Sequence, residues 1–293
     1  METTLSDPVS FIIPDLADLP TMPVVVARIY QMLEDENVNI AGLTKLIQAD
    51  PVIVSRLVKT ANSSFYCSRR EINTIPDAIM TIGLSALRGT VLQAAMQKLY
   101  QPFGPAENML WEHANAVAIA SKFLAIRLRL AFAEEAFLAG LLHDIGMLVL
   151  NWTAPERFRI LLTHDESVSE ADFATEENNI FRVSHGEIGR KVLSRWEFPI
   201  ELIMAAEYHH QFSELMLAKS IRMQHPTAVY MVAVVSLADM MCLKLGLGYQ
   251  RHFTVDWEKL HITSILDLDT PRIDQLITEF MEKYIGEWQG IMT

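Results

Sequence analysis

Residues 136 to 150 read AFLAGLLHDIGMLVL, and this stretch decides the fold. It is a helix-length run, apolar on almost every side, with His143 and Asp144 set in its middle. A helix that is apolar all round belongs in the interior of a protein. A carboxylate is rarely fully buried unless something pairs with it, and unpaired it would be neutralised or strongly destabilising. Asp144 therefore demands a partner. Neighbours on a helix point about 100° apart, because a turn takes roughly 3.6 residues. On that reading the doublet addresses both edges of a groove between helices, where other elements supply further ligands.

Working outward, the same pattern repeats. Leu19-Pro20-Thr21-Met22-Pro23 and Asp50-Pro51 are helix starts, each a capping residue with a proline close by. Apolar residues at helical spacing follow over 24–33, 40–49 and 52–62. Ile75-Pro76-Asp77 opens another helical stretch that runs to Leu99, with Gly83 able to end it or allow a close approach. Residues 20 to 100 thus read as about five helices without a convincing strand. Pro102, Gly104 and Pro105 make the clearest break. Beyond it, helices are expected over 109–130, 135–150, 155–163, 167–179, 185–196, 199–210, 228–245, 256–266 and 269–285. The fold expected is all-α, a multi-helix bundle.

Composition narrows the class. Hydrophobic residues make up 51% of 293, which is globular. The net charge of −12 disfavours a nonspecific binder of nucleic-acid phosphates. Two cysteines, Cys67 and Cys242, stand in no metal-type spacing and fit a reducing compartment. The first twenty residues carry no Lys or Arg, so no secretory signal is expected there. The longest apolar runs, 136–150 and 228–247, hold acidic residues at their centres and read as buried helices, not membrane spans. A cytoplasmic protein is expected.

The second half carries His113, His143-Asp144, His185, His209-His210 and Asp239 in order, mostly in apolar company. Imidazole with carboxylate suits iron, manganese or zinc, and a helical bundle can hold one or two such ions between facing helices. Asp144 could bridge two, and a two-metal site activates water and clamps phosphate oxygens. Each residue also has an ordinary reading. A lone core histidine is usually just hydrogen-bonded. His185 beside Gly186 could be a surface helix start, Asp239 could pair with Lys244, and 208–211 could be an exposed helix end. Arg69-Arg70, Arg127 and Arg129 read as solvated faces, and most methionines as core.

This order resembles the HD superfamily of metal-dependent phosphohydrolases, whose signature is H…HD…D. His185 and His209-His210 resemble the extended ligand set of HD-GYP phosphodiesterases. The first half is similar to a sister group, the HDOD (HD-related output) domain, through Leu19-Pro20 with Pro23, Asp50-Pro51, Ala61-Asn62-Ser63, Ile75-Pro76 with Ala78-Ile79 and Gly83, and residues 137–146. The resemblance implies an HDOD domain over 15–212, with an N-terminal helical subdomain (15–100) packed on an HD-like core (107–212). Residues 213–293 would be a helical extension completing that core. It implies one metal held by His113, His143, Asp144 and Asp239, and a second by His185, His209 and His210 with Asp144 bridging.

The departures matter. No Gly-Tyr-Pro follows His209-His210, the lysine expected after His-Asp-Ile-Gly is Met147, and Met109 stands where some members place a glutamate. These weigh against cyclic di-GMP hydrolysis and not against metal binding. The reading is a bacterial signal-transduction module that works through partner signalling proteins and retains its metal site, with a homo-oligomer allowed. The alternatives are a metal-dependent phosphohydrolase of a nucleotide or phosphodiester, with Asp144 its principal residue, and a metal or redox sensor. Around Phe65-Tyr66 the first half also offers a partner groove.

Overall fold

The computed structural model describes residues 21–33, 35, 38–63, 65–66, 71–101, 104–163, 167–168, 170–212, 223–248, 252–253, 255, 257 and 261–292. Residues 1–20, Cys67, Arg69-Arg70 and His164 lie outside them. The described chain is α-helical apart from one two-residue parallel pair, β1 (Ser167–Val168) with β2 (His252–Phe253). It divides into two compact units, one from 102–276 and one from 22–101 with 277–293.

The smaller unit opens with α1 (Val24–Leu33), α2 (Ile40–Gln48), α3 (Pro51–Ala61) and α4 (Ile75–Leu99). The start signals work as their chemistry requires. Asp50 accepts from the amides of Val52 and Ile53 and pairs with Lys98 of α4. Thr74 caps α4 through the Asp77 amide. At Gly83, φ of +79° and ψ of 169° break α4 into two segments, a conformation that favours glycine. Asn62 closes the stretch after α3 by imitating a backbone. Its amide donates to Ile72 O and its oxygen accepts from Ile72 N, both at 2.8 Å. Phe65, half-buried, carries the ammonium of Lys283 4.0 Å above its ring, on the segment of the final helix that belongs to this unit.

The larger unit contains α5 (Pro105–Arg127), α6 (Ala133–Leu142), α7 (Ile145–Thr153), α8 (Pro155–Thr163), α9 (Glu170–Phe181), α10 (His185–Arg195), α11 (Ile200–Tyr208), α12 (Pro226–Lys244) and α13 (His261–Leu266). The last helix, α14 (Thr270–Met292), runs past the expected end at 285. At its centre α5 packs on α6 and α12, α11 on α10 and α12, and α10 on α7. Helices α5 and α12 are buried almost all round, which is why neither shows an amphipathic pattern. The stretches 75–99, 133–153 and 226–244 are long and apolar enough, by length and composition, to cross a membrane, and here most of their apolar surface is buried inside the protein.

The principal correction concerns the deciding stretch. Residues 136–150 are not one helix: α6 stops at Leu142 and α7 starts at Ile145, with His143 and Asp144 forming the turn between. The interruption is local. The His143 ring nitrogen Nδ1 lies 2.7 Å from Gly140 O, taking up a carbonyl left over at the helix end. Similarly α11 ends at Tyr208, so His209 and His210 stand just past its terminus.

Candidate metal centre

The larger unit brings all seven residues together. His113 comes from mid-α5, His143 and Asp144 from the α6–α7 turn, His185 from the first residue of α10, His209 and His210 from the end of α11, and Asp239 from α12. All are buried except His210, which is partly exposed. Asp144 Oδ1 lies 3.3 Å from His185 Nε2 and 3.5 Å from His209 Nε2, and its Oδ2 lies 3.4 Å from His143 Nε2. Asp239 Oδ1 is 2.9 Å from His113 Nε2, and its Oδ2 is 3.7 Å from His210 Nδ1. Three groups have ligand atoms all within 4.8 Å of one another: Asp144 with His185, His209 and His210; His113 with His143 and Asp144; and His143 with His209 and Asp239.

The local fold explains these positions. Ser184 caps α10 in a reciprocal arrangement with Glu187, which fixes the His185 end of that helix. Gly146 lets α7 approach α10, since a Cβ there would run into the His185 carbonyl. Ser236 of α12 donates to His209 O at 2.6 Å and ties the end of α11 in place. Gly248, with φ of +88°, brings the chain after α12 against His113, where Leu247 O lies 2.9 Å from the ring Nδ1.

The imidazole orientations carry the chemistry. The Nδ1 atoms of four rings all face acceptors: His113 faces Leu247 O, His143 faces Gly140 O, His209 faces Ala205 O and Ala206 O, and His185 faces the Glu177 carboxylate. Each Nδ1 must therefore bear the hydrogen, and each Nε2 in the neutral ring presents a lone pair inward. Those lone pairs meet each other and two carboxylates. His185 Nε2 and His209 Nε2 stand 3.2 Å apart, a repulsive contact unless a proton or a cation lies among them. Among the described residues, buried His143 Nε2 and Asp239 Oδ2 have no hydrogen-bond partner.

The donor set fits a divalent ion. Ligands at about 2.0–2.2 Å from one ion, at tetrahedral or octahedral angles, sit roughly 3.0–3.5 Å from each other. The His185–His209, His185–Asp144, His143–Asp144 and His209–Asp144 atom pairs, at 3.2, 3.3, 3.4 and 3.5 Å, fall within that range. Electrostatics agrees. Burial raises the Asp144 carboxyl, yet His143, His209 and His185 outweigh it and hold the group well below its ordinary range. Asp239 is lowered in the same way, chiefly by His113 against burial. Burial pushes His209 down to about 3 and lowers His143. His113 and His185 are raised, because Asp239 and Glu177 respectively overcome burial.

Glu177 is the site residue that the sequence reading does not single out, one of four acids between positions 170 and 177. A signal was available: it stands between Phe173 and Phe181 at i, i+4, i+8, on the buried stripe of α9. The proposed Asp239–Lys244 pairing is not what forms, since Lys244 faces Asp274 and the Trp257 ring. Arg127 and Arg129 are exposed, and Met147 is 1% exposed.

A family profile described as the HDOD domain matches residues 19–212. The chain belongs to the HDOD family. An HDOD domain protein of unknown function from Geobacter sulfurreducens is 26% identical, with a TM-score of 0.73 over 96% of this chain and 97% of that one. A Shewanella amazonensis SB2B protein, described provisionally as a phosphohydrolase, shares the fold at 20% identity and a TM-score of 0.67, covering 96% of each chain. A Treponema pallidum (strain Nichols) protein described as uncharacterized is 25% identical over 198 residues, which are 66% of this chain and 38% of that protein. The HDOD chain thus spans well under half the length of that relative. Six of the seven clustered residues fall inside the family match, and Asp239 lies beyond it.

Proposed function

We propose that this HDOD chain is a cytoplasmic bacterial signalling module that binds one or two divalent ions, iron, manganese or zinc, and acts through contacts with partner signalling proteins. The observation that carries the metal half is the set of four Nδ1 atoms anchored to acceptors, which turns four Nε2 lone pairs onto two buried carboxylates. His113, His143, Asp144 and Asp239 would hold one ion. His185, His209 and His210 would hold the other, with Asp144 shared. The family membership supports the signalling half. The buried, apolar Met147 supports a non-hydrolytic output, because it withholds the point charge that a phosphate group would meet beside the His-Asp turn.

The intact donor set also favours a second reading, a phosphohydrolase acting on a nucleotide or phosphodiester. A bound ion would there supply Lewis acidity and an activated water, while Asp144 and the histidines hold it in place. Elemental analysis of wild type and Asp144→Ala, with a phosphodiesterase screen and an affinity pull-down, separates the readings. Near-stoichiometric metal that Asp144→Ala loses, with a captured partner and no turnover, is the expected result. Turnover of a phosphate ester with no partner captured would favour the second reading over the first. Absence of metal from both proteins would remove the metal site altogether.

A further inference from the structure

One carboxylate holds His185 at two points. Glu177 Oε1 accepts the His185 backbone N–H at 3.1 Å and the ring Nδ1–H at 2.8 Å, and Oε2 lies 3.0 Å from the same ring nitrogen. Glu177 is fully buried between Phe173 and Phe181. A carboxylate is rarely placed so deep without a partner, and this one's partner is a ring whose other nitrogen faces Asp144 and His209. The Nδ1 atoms of His113, His143 and His209 lean instead on neutral backbone carbonyls.

We infer that Glu177 is a positioning residue for the metal at the Asp144–His185–His209–His210 position, acting through His185. The inference rests on the metal-binding reading above. A hydrogen bond to an ionised carboxylate is stronger than one to a carbonyl. It fixes the tautomer and plane of the ring and makes Nε2 a better donor. The second contact, to the backbone amide, sets the start of α10 at the same point. The side chain that orients the ring therefore also locates its Cα.

The test is cobalt(II) titration of the metal-stripped full chain, followed by its visible absorption. Glu177→Gln keeps an oxygen for the His185 amide and removes the charge. It is expected to weaken one cobalt-binding step about 10–100-fold and leave the other step unchanged. Glu177→Asp should recover part of the loss whatever its melting temperature. In a His185→Ala background, Glu177→Gln should cause no further weakening. Wild-type cobalt binding in Glu177→Gln overturns the inference and leaves the metal reading standing. So does an equal loss with and without His185, which would mean a general structural role. A wild type that takes up no cobalt overturns both.

Discussion

Gly146→Ala is the most direct probe of how the site is assembled. Gly146 is the second residue of α7, and its missing side chain is where the His185 carbonyl of α10 comes in. A Cβ there meets His185 backbone atoms on a buried turn, so no rotamer change relieves the overlap. Overpacking of a close-packed interior costs about 1–3 kcal/mol, and a collision with backbone belongs at the upper end. Alanine returns about 1 kcal/mol of helix propensity relative to glycine, leaving a net loss of about 2 kcal/mol. For a unit of this size that is a fall in melting temperature of about 4–8 °C. Because the displaced group is the His185 backbone, metal content should fall in parallel. Thermal unfolding by circular dichroism, with and without added metal, reads the first effect, and elemental analysis reads the second. If the variant melts at or above the wild-type temperature, as helix propensity alone requires, and keeps its metal, the close approach of α7 and α10 does not exist in solution.

Other expectations follow from the same geometry. In metal-free protein the His209 ring resists protonation down to about 3, against an ordinary 6.5. The unfolded chain therefore binds the extra proton between those values, and this group's contribution is full above about pH 6.5 and falls with acidification by up to about 1.4 kcal/mol per pH unit. His143 has the same sign. The raised pKa values of His113 and His185 act oppositely, contributing below 6.5 and losing that contribution as pH rises through their folded values. Urea unfolding at pH 5 and 7 should show a smaller acid loss in His209→Asn than in wild type, and parallel losses would refute this. Met147→Lys places a charge at a position 1% exposed and should destabilise by about 3 kcal/mol or more in chemical unfolding; a neutral result would mean the position opens to solvent. Asn62→Ala removes the paired bonds to Ile72, should cost about 1–3 kcal/mol, and should speed hydrogen exchange at the Ile72 amide without altering metal content.

What the sequence revealed depended on contrast. His143, Asp144 and Asp239 stood out because charge inside an apolar run needs a reason, and the helical class followed from the apolar spacing around them. The turn at His143-Asp144 was hidden because no glycine or proline marks it, and the break becomes visible only when a side chain takes over a backbone carbonyl. Gly83 did announce itself, since only glycine suits that positive φ. Glu177 escaped for the opposite reason to Asp144: in a sequence that also carries Glu170, Asp172 and Glu176, one more acid does not stand out. Only its phase against Phe173 and Phe181 distinguishes it. The locking of the Nδ1 atoms was beyond sequence reasoning, since the acceptors are carbonyls, Leu247 O among them, that any residue could supply.

The donors are drawn from elements far apart in the chain, the first on α5 and the last 126 positions later on α12. An ion held among them would act as a reversible cross-link over most of the larger unit, and its binding free energy would appear as resistance to unfolding. Proteases act on the transiently opened chain, whose population falls as that resistance rises. The lifetime of this HDOD chain, and with it the amount available to any partner, would then track the supply of the metal around it.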